Sequence, residues 1–298
     1  MTNTVVREAS PSSTLGDVTV QVEAPALPFR MFAVQVAAVQ PMCPSVVRVT
    51  FTGDDLDRFA DNGFDQRIKF FLPLDTVPYD ELLSLQDSAD WYGRWRAMPD
   101  EKRHPIRTYT ARGVRQERRE VDVDIVLHGD LGPASRWALG AAPGDDLVIL
   151  GPNADATGPH GGVDFVPPAH TDRLLIAGDE TALPAISRIL ATAAANTRGL
   201  ALVEVAGAQE EQPLDAPAGV KVRWLHRGTA APGGNSLLAE AVAALDRPEG
   251  DDLFAWVAAE SAAVRAIRAD LRGRWGLGRA QHHAIGYWRR GRAMAPAG

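Results

Sequence analysis

The chain has 298 residues, room for two packed domains, and its 45% hydrophobic and 23% charged residues exclude an intrinsically disordered protein. A net charge of -7 sets the surface as a whole against nucleic acid, and the single cysteine, Cys43, excludes an intrachain disulfide, a cysteine-ligated iron–sulfur cluster and a multi-cysteine zinc site. No apolar run reaches the ~20 residues that span a bilayer, and no basic-then-apolar signal pattern opens the chain; the expectation is a cytoplasmic protein without an integral membrane segment.

Residues 1–28, rich in Ser, Thr and Pro and without a sustained period, are expected to form a mobile tail. Phe32, Val34 and Val36 alternate, as do Val47, Val49 and Phe51; this predicts two strands with Pro41 to Ser45 as the turn between them. Arg67 to Leu72 reads as a strand ended by Pro73. Residues 75–105 read as a long loop or a loop carrying a short helix. Its Trp91, Tyr92 and Trp95 fit either an entry loop or, better, an apolar patch closing this β-rich domain. Arg107 to Arg112 is a further strand. Val121, Val123, Ile125 and Leu127 then keep a period of two, the signature of a half-buried strand whose wet side carries Asp122 and Asp124. Gly132-Pro133-Ala134-Ser135 opens a short helix, with proline where a first turn tolerates it. Asp146 to Leu150 is the last strand of this part.

Residues 153–171, rich in Gly, Pro and His, form a linker. Beyond it, apolar strands at 173–177, 201–206, 220–225, 253–258 and 282–287 alternate with helical patterns at 182–195, 235–245 and 260–275, which predicts a parallel sheet with crossovers. The expected division is therefore a first domain over 29–152, the linker, and an α/β domain over 172–298 with a basic C-terminal segment.

Two groups of residues carry chemistry. Arg107 and Tyr109, two apart on a strand, share one face: a forked permanent charge suited to a phosphate beside a ring suited to a flat heterocycle. Thr108 and Thr110 lie in the same strand. After His128, the helix opening at Gly132, with Pro133 in its first turn, offers the free N–H groups near Ala134 and Ser135 and a positive dipole end to a pyrophosphate. Each piece alone also fits a strand arginine paired with a carboxylate and an ordinary capped helix. In the second half Gly178-Asp179-Glu180-Thr181 follows an apolar strand where parallel sheets bind ligands, and Glu260-Ser261 marks a second point on that rim. This is not the G-x-G-x-x-G fingerprint.

These stretches, with Gly178 to Ala185, Trp256-Val257-Ala258 and the terminal Gly286-Tyr287-Trp288-Arg289-Arg290-Gly291, stand in one order that resembles the siderophore-interacting protein family, from about residue 30 to 292. That family consists of FAD-dependent ferric-siderophore reductases within the ferredoxin–NADP reductase superfamily. The resemblance implies an N-terminal antiparallel β-barrel FAD domain followed by a parallel-sheet α/β domain binding NADPH or NADH. Arg107 would grip the FAD phosphates, Tyr109 would lie against the ring system, and Thr110 would approach its reactive nitrogen. His128, Ala134 and Ser135 would complete the cleft. Gly178 to Thr181, Glu260 and Ser261 would border the nicotinamide cofactor, and Tyr287 and Trp288 would cover the flavin face. The expected protein is a monomer acting on a ferric siderophore.

From Arg265 to Arg292 there are eight arginines and one acid, Asp270, so a positive rim could gather an anionic chelate. Lys69, Arg289, Arg290 and Arg292 are the substrate candidates; the helix arginines read as a solvated face. His282 and His283 are adjacent on a strand and point to opposite faces, so no metal pair and no resident metal is expected. A 2′-phosphate calls for an arginine, and Arg223 and Arg227 lie near the third strand of the α/β half, while Glu204 opposes a phosphate. Two alternatives stay open: a flavin electron-transfer reductase with an electron-carrier protein as acceptor, and a non-redox ferric-siderophore carrier.

Overall fold

A computed structural model describes residues 25–127, 132–234, 237–250 and 252–291. The first half is a seven-stranded antiparallel sheet built from β1 (Phe29–Cys43), β2 (Val46–Thr52), β3 (Arg67–Phe71), β4 (Ile106–Thr110), β5 (Gly113–Arg115), β6 (Glu120–Val126) and β7 (Asp146–Pro152), in the order β4-β3-β7-β1-β2-β6-β5. The two edge strands are consecutive in the chain, so the sheet curls until its edges meet. The Arg112 N–H donates to the Asp122 carbonyl of β6, at 2.8 Å, across that closure. Inward alternation of Phe32, Val34, Val49, Phe51, Ile68, Phe70, Val121 and Val123 fills the curl, and α3 (Pro133–Gly140) adds Ala134 and Ala138.

Three local readings change. The first turn is only Pro44-Ser45: β1 runs on through Pro41, which pairs opposite Val47 because a bulge between Pro41 and Cys43 absorbs the missing donor. β6 is buried on both faces. Asp122 and Asp124 are covered by forked arginines from neighbouring strands, Arg115 on Asp122 (2.6 and 2.7 Å) and Arg48 on Asp124 (2.7 and 2.9 Å), with the Thr50 hydroxyl also on Asp122. Residues 75–105 carry α1 (Asp80–Leu83) and α2 (Trp91–Ala97). They lay Leu82, Leu85 and Trp95 onto Phe71, Ile106, Val148 and Leu150, a second core on the outer barrel face.

The second half is a parallel five-stranded sheet: β8 (Arg173–Asp179), β9 (Arg198–Val205), β10 (Gly219–His226), β11 (Leu253–Glu260) and β12 (His282–Trp288), in the order β10-β9-β8-β11-β12. α4 (Leu183–Thr192) covers the face of Ile176, Val203 and Trp256. α5 (Leu237–Ala243) and α6 (Ser261–Gly273) cover that of Leu175, Leu202 and Val257. All of β11 is buried, as a central strand covered on both sides must be. The strand order reverses between β8 and β11, and crevices at such reversals, beyond the carboxyl ends, are where these sheets hold ligands. Gly178 sits at that point because α4 crosses it closely: a Cβ there would lie 2.7 Å from Ala182 Cβ and 2.9 Å from the Ala258 carbonyl oxygen.

The halves meet along a polar seam. Asp65, 1% exposed, accepts from the Trp256 indole N–H of β11 and from the Asp164 and Phe165 N–H groups, each at 3.0 Å. Ser45, at the β1–β2 turn, donates its hydroxyl (2.7 Å) and its N–H (3.2 Å) to Glu210 beyond β9. No helix of the described residues is long and apolar enough to cross a membrane.

Candidate functional site

The barrel half of the site begins on β4. Its register against β3 pairs Arg107 with Phe70 and Tyr109 with Ile68, on the face of the barrel core, while Thr108 pairs with Lys69 and Thr110 with Arg67 on the other. The sheet therefore divides the candidates. Arg107 and Tyr109 stand with α3: the Tyr109 ring lies 4.7 Å from Phe70, and Trp137 of α3 meets the same ring edge-on at 6.2 Å. Thr110 is buried toward the α/β half, within electrostatic reach of Tyr287, whose hydroxyl makes no hydrogen bond of good geometry among the described residues. Burial pushes the Tyr109 hydroxyl well above its ordinary value and keeps it protonated.

The residues present fit a flavin dinucleotide. The Arg107 guanidinium donates to the Ile106 carbonyl at 2.7 Å and has no carboxylate in ion-pair reach among the described residues. α3 starts at Gly132 with extended backbone, no side-chain cap and proline at its first position, and a Cβ on Gly132 would meet nothing within 4 Å. A guanidinium without a carboxylate among the described residues, a helix start without a side-chain cap and a half-buried aromatic ring suit a diphosphate beside a flat ring. His128 lies outside the described residues, as does Arg292.

Gly178, Asp179, Glu180, Thr181, Glu260, Ser261 and Trp288 converge at the switch point. Asp179 is the hub. One carboxylate oxygen accepts from the Thr181 N–H (3.0 Å) and hydroxyl (2.5 Å), the other from the Glu260 N–H (2.9 Å) and the Trp288 indole N–H (2.8 Å). Burial, with Glu180 beside it, pushes its pKa up to about 6. Glu260 caps α6 by accepting from Ala262 and Ala263 N–H groups and takes the Arg290 N–H at 3.2 Å. Ser261 donates its hydroxyl to the Trp288 carbonyl at 2.8 Å. Trp288 is thus tied to the rim by both its indole and its backbone.

Three more residues complete this rim: Arg227 and Glu204, weighed in the sequence for their bearing on a 2′-phosphate, and Gly233, which carried no signal there. Arg227, just after β10, forks onto Glu180 with two bonds of 2.7 Å, both side chains about 95% buried. Glu204, opposite Asp179 in the β8–β9 register, has its pKa pushed up to about 7, first by burial and then by Asp179. Gly233, at φ 62°, brings the loop after β10 down onto Glu260 and Trp288.

Of the substrate candidates, Lys69 is half-buried on the outer barrel face, where burial and then neighbouring Arg67 push its ammonium below the ordinary range. Arg289 and Arg290 are exposed just beyond β12. His283 approaches Asp164 (3.5 Å), which also holds Arg67 at 3.0 Å, and His282 turns to the Gly278 carbonyl at 2.8 Å.

Compared with known proteins, residues 35–156 match the siderophore-interacting FAD-binding domain, and residues 171–291 match the siderophore-interacting protein model. The chain is 34% identical over 253 residues to the ferric vibriobactin reductase ViuB of Vibrio cholerae, covering 83% of this chain and 85% of that one. It is 28% identical over 235 residues to the NADPH-dependent ferric-chelate reductase of Escherichia coli, covering 78% and 83%. A siderophore utilization protein from T. fusca, known from its crystal structure, has 33% identity and a TM-score of 0.74 over 90% of this chain and 96% of that one.

Proposed function

The chain belongs to the siderophore-interacting protein family, and from that premise we propose that it is an FAD-dependent reductase that oxidises a nicotinamide dinucleotide and reduces the Fe(III) of a siderophore complex. Arg107, a guanidinium with no carboxylate in ion-pair reach among the described residues, together with a helix start that has no side-chain cap, is the observation that carries this reading. Bound FAD would supply the exchange of a two-electron hydride for single-electron delivery. The protein's own groups bind and orient. Arg107 and the first turn of α3 neutralise a diphosphate, and Tyr109 offers its ring to a flat heterocycle. Asp179 fixes the loop after β8, the start of α6 and the end of β12 in one geometry, so the nicotinamide rim is set before substrate arrives.

The iron is substrate. One dinucleotide oxidised to its cation gives up two electrons, reduces two ferric chelates and releases one proton. Fe(II) is held less tightly by the hard oxygen donors of a siderophore, so reduction loosens the complex. No acid or base is required at the metal; a positive, water-filled approach suffices, for which Lys69, Arg289 and Arg290 are the candidates. The test is anaerobic mixing of FAD-loaded protein with NADH or NADPH, then a ferric siderophore with a ferrous trap. Bleaching of the flavin followed by trapped Fe(II) is expected. A protein that takes up no flavin, or whose flavin neither dinucleotide bleaches, overturns the reading and favours a non-redox carrier.

A further inference from the structure

At the carboxyl ends of β9 and β10, the described residues supply one guanidinium, Arg227, and one imidazole, His226, and both are already held by carboxylates. The Arg227 N–H continues the ladder onto the Val205 carbonyl at 3.0 Å, which places its side chain at the rim, where it forks onto Glu180. His226 Nε2 lies 2.8 Å from Glu211 Oε1. Arg223 is exposed but sits mid-strand opposite Leu202, short of the rim. Around these pairs stand Asp179, Glu180 and Glu204, all buried. In sheets of this order an acid at the end of the second strand, 26 residues beyond Gly178 in the case of Glu204, is where the adenine ribose is read, and an arginine there takes a 2′-phosphate.

We propose that this protein selects NADH over NADPH, with the engagement of Arg227 by Glu180 and of His226 by Glu211 as the cause. This rests on the reading of the α/β half as the dinucleotide site. A 2′-phosphate entering here would need Arg227 or His226 to leave its carboxylate. Freeing Arg227 would strand Glu180, buried beside Asp179 and near Glu204, so the pair resists exchange. A ribose hydroxyl needs no counter-charge and can donate to an acid. The Escherichia coli relative is named for NADPH; the prediction is that this chain differs.

The experiment is calorimetric titration of the purified full-length, FAD-loaded chain with ADP-ribose and with 2′-phospho-ADP-ribose, alongside stopped-flow flavin reduction by NADH and NADPH. ADP-ribose is expected to bind at least about tenfold more tightly, and kcat/KM for flavin reduction to favour NADH by a similar factor. Glu180→Gln, which frees Arg227, risks the fold. Glu211→Lys lies on the surface, removes the partner of His226 and adds a cation; it should tighten 2′-phospho-ADP-ribose by about tenfold while leaving ADP-ribose within about twofold. Equal or tighter binding of the phosphorylated ligand by the parent protein, or no gain in Glu211→Lys, overturns the proposal while leaving the dinucleotide site standing. Failure of both ligands to bind overturns the dinucleotide reading, and this proposal with it.

Discussion

Glu204 and Asp179 show how single residues tune the rim. A carboxyl group whose folded pKa is raised holds its proton more tightly folded than unfolded. Its contribution to stability is full below the ordinary carboxylate range and is lost as pH rises through the folded value. With Glu204 pushed up to about 7 and Asp179 to about 6, that window runs from the ordinary value of 4.5 for Glu204 to about neutrality. Glu204→Gln keeps an acceptor for the Leu238 N–H, at 3.3 Å, and removes one titration. The melting temperature of the parent protein should therefore fall more steeply between pH 5 and pH 8 than that of the variant. Parallel profiles over that range would rule out Glu204 as a source of the slope.

The strand-to-helix turn after β8 depends on one missing methyl group. A side chain on Gly178 meets Ala182, Ile186 at 2.8 Å and the Ala258 carbonyl, so α4 must retreat or β11 must shift. Gly178→Ala should cost about 1–3 kcal/mol in denaturant unfolding, the usual scale of overpacking; a loss below about 0.5 kcal/mol would mean that the helix yields freely. This turn, like the whole second sheet, was legible in the sequence because strands buried on both faces read as apolar runs and crossovers impose a helical period between them. Arg107 to Thr110 and Gly178 to Thr181 were legible because motif and element coincide. The three-residue β5 gave no periodic signal, and Asp122 and Asp124 misled because alternation records polarity, not whether an arginine from the next strand covers it. Asp65 was missed for a different reason: its partner Trp256 lies 191 positions away, and a turn aspartate carries no mark of that.

At the scale of the molecule, several separated contacts hold barrel and sheet together, among them Asp65 on the seam, Glu210 under the β1–β2 turn and Asp61 against Arg188 of α4. Asp65 offers acceptors alone, and three donors from the linker and β11 point at it. Asp65→Asn turns one acceptor into a donor, so at least one buried N–H loses its partner, at a cost of about 1–3 kcal/mol. The parent protein should unfold in one calorimetric transition and the variant in two, the barrel separating from the α/β half. A single transition at an unchanged temperature would show that Asp65 does not couple them. Because the Trp256 indole is fully buried and its N–H bonds to that carboxylate, the protein contains its own optical gauge. Parting of the two halves breaks that bond and should add a red-shifted component to the combined emission of the seven tryptophans, a component that Trp256→Phe should remove.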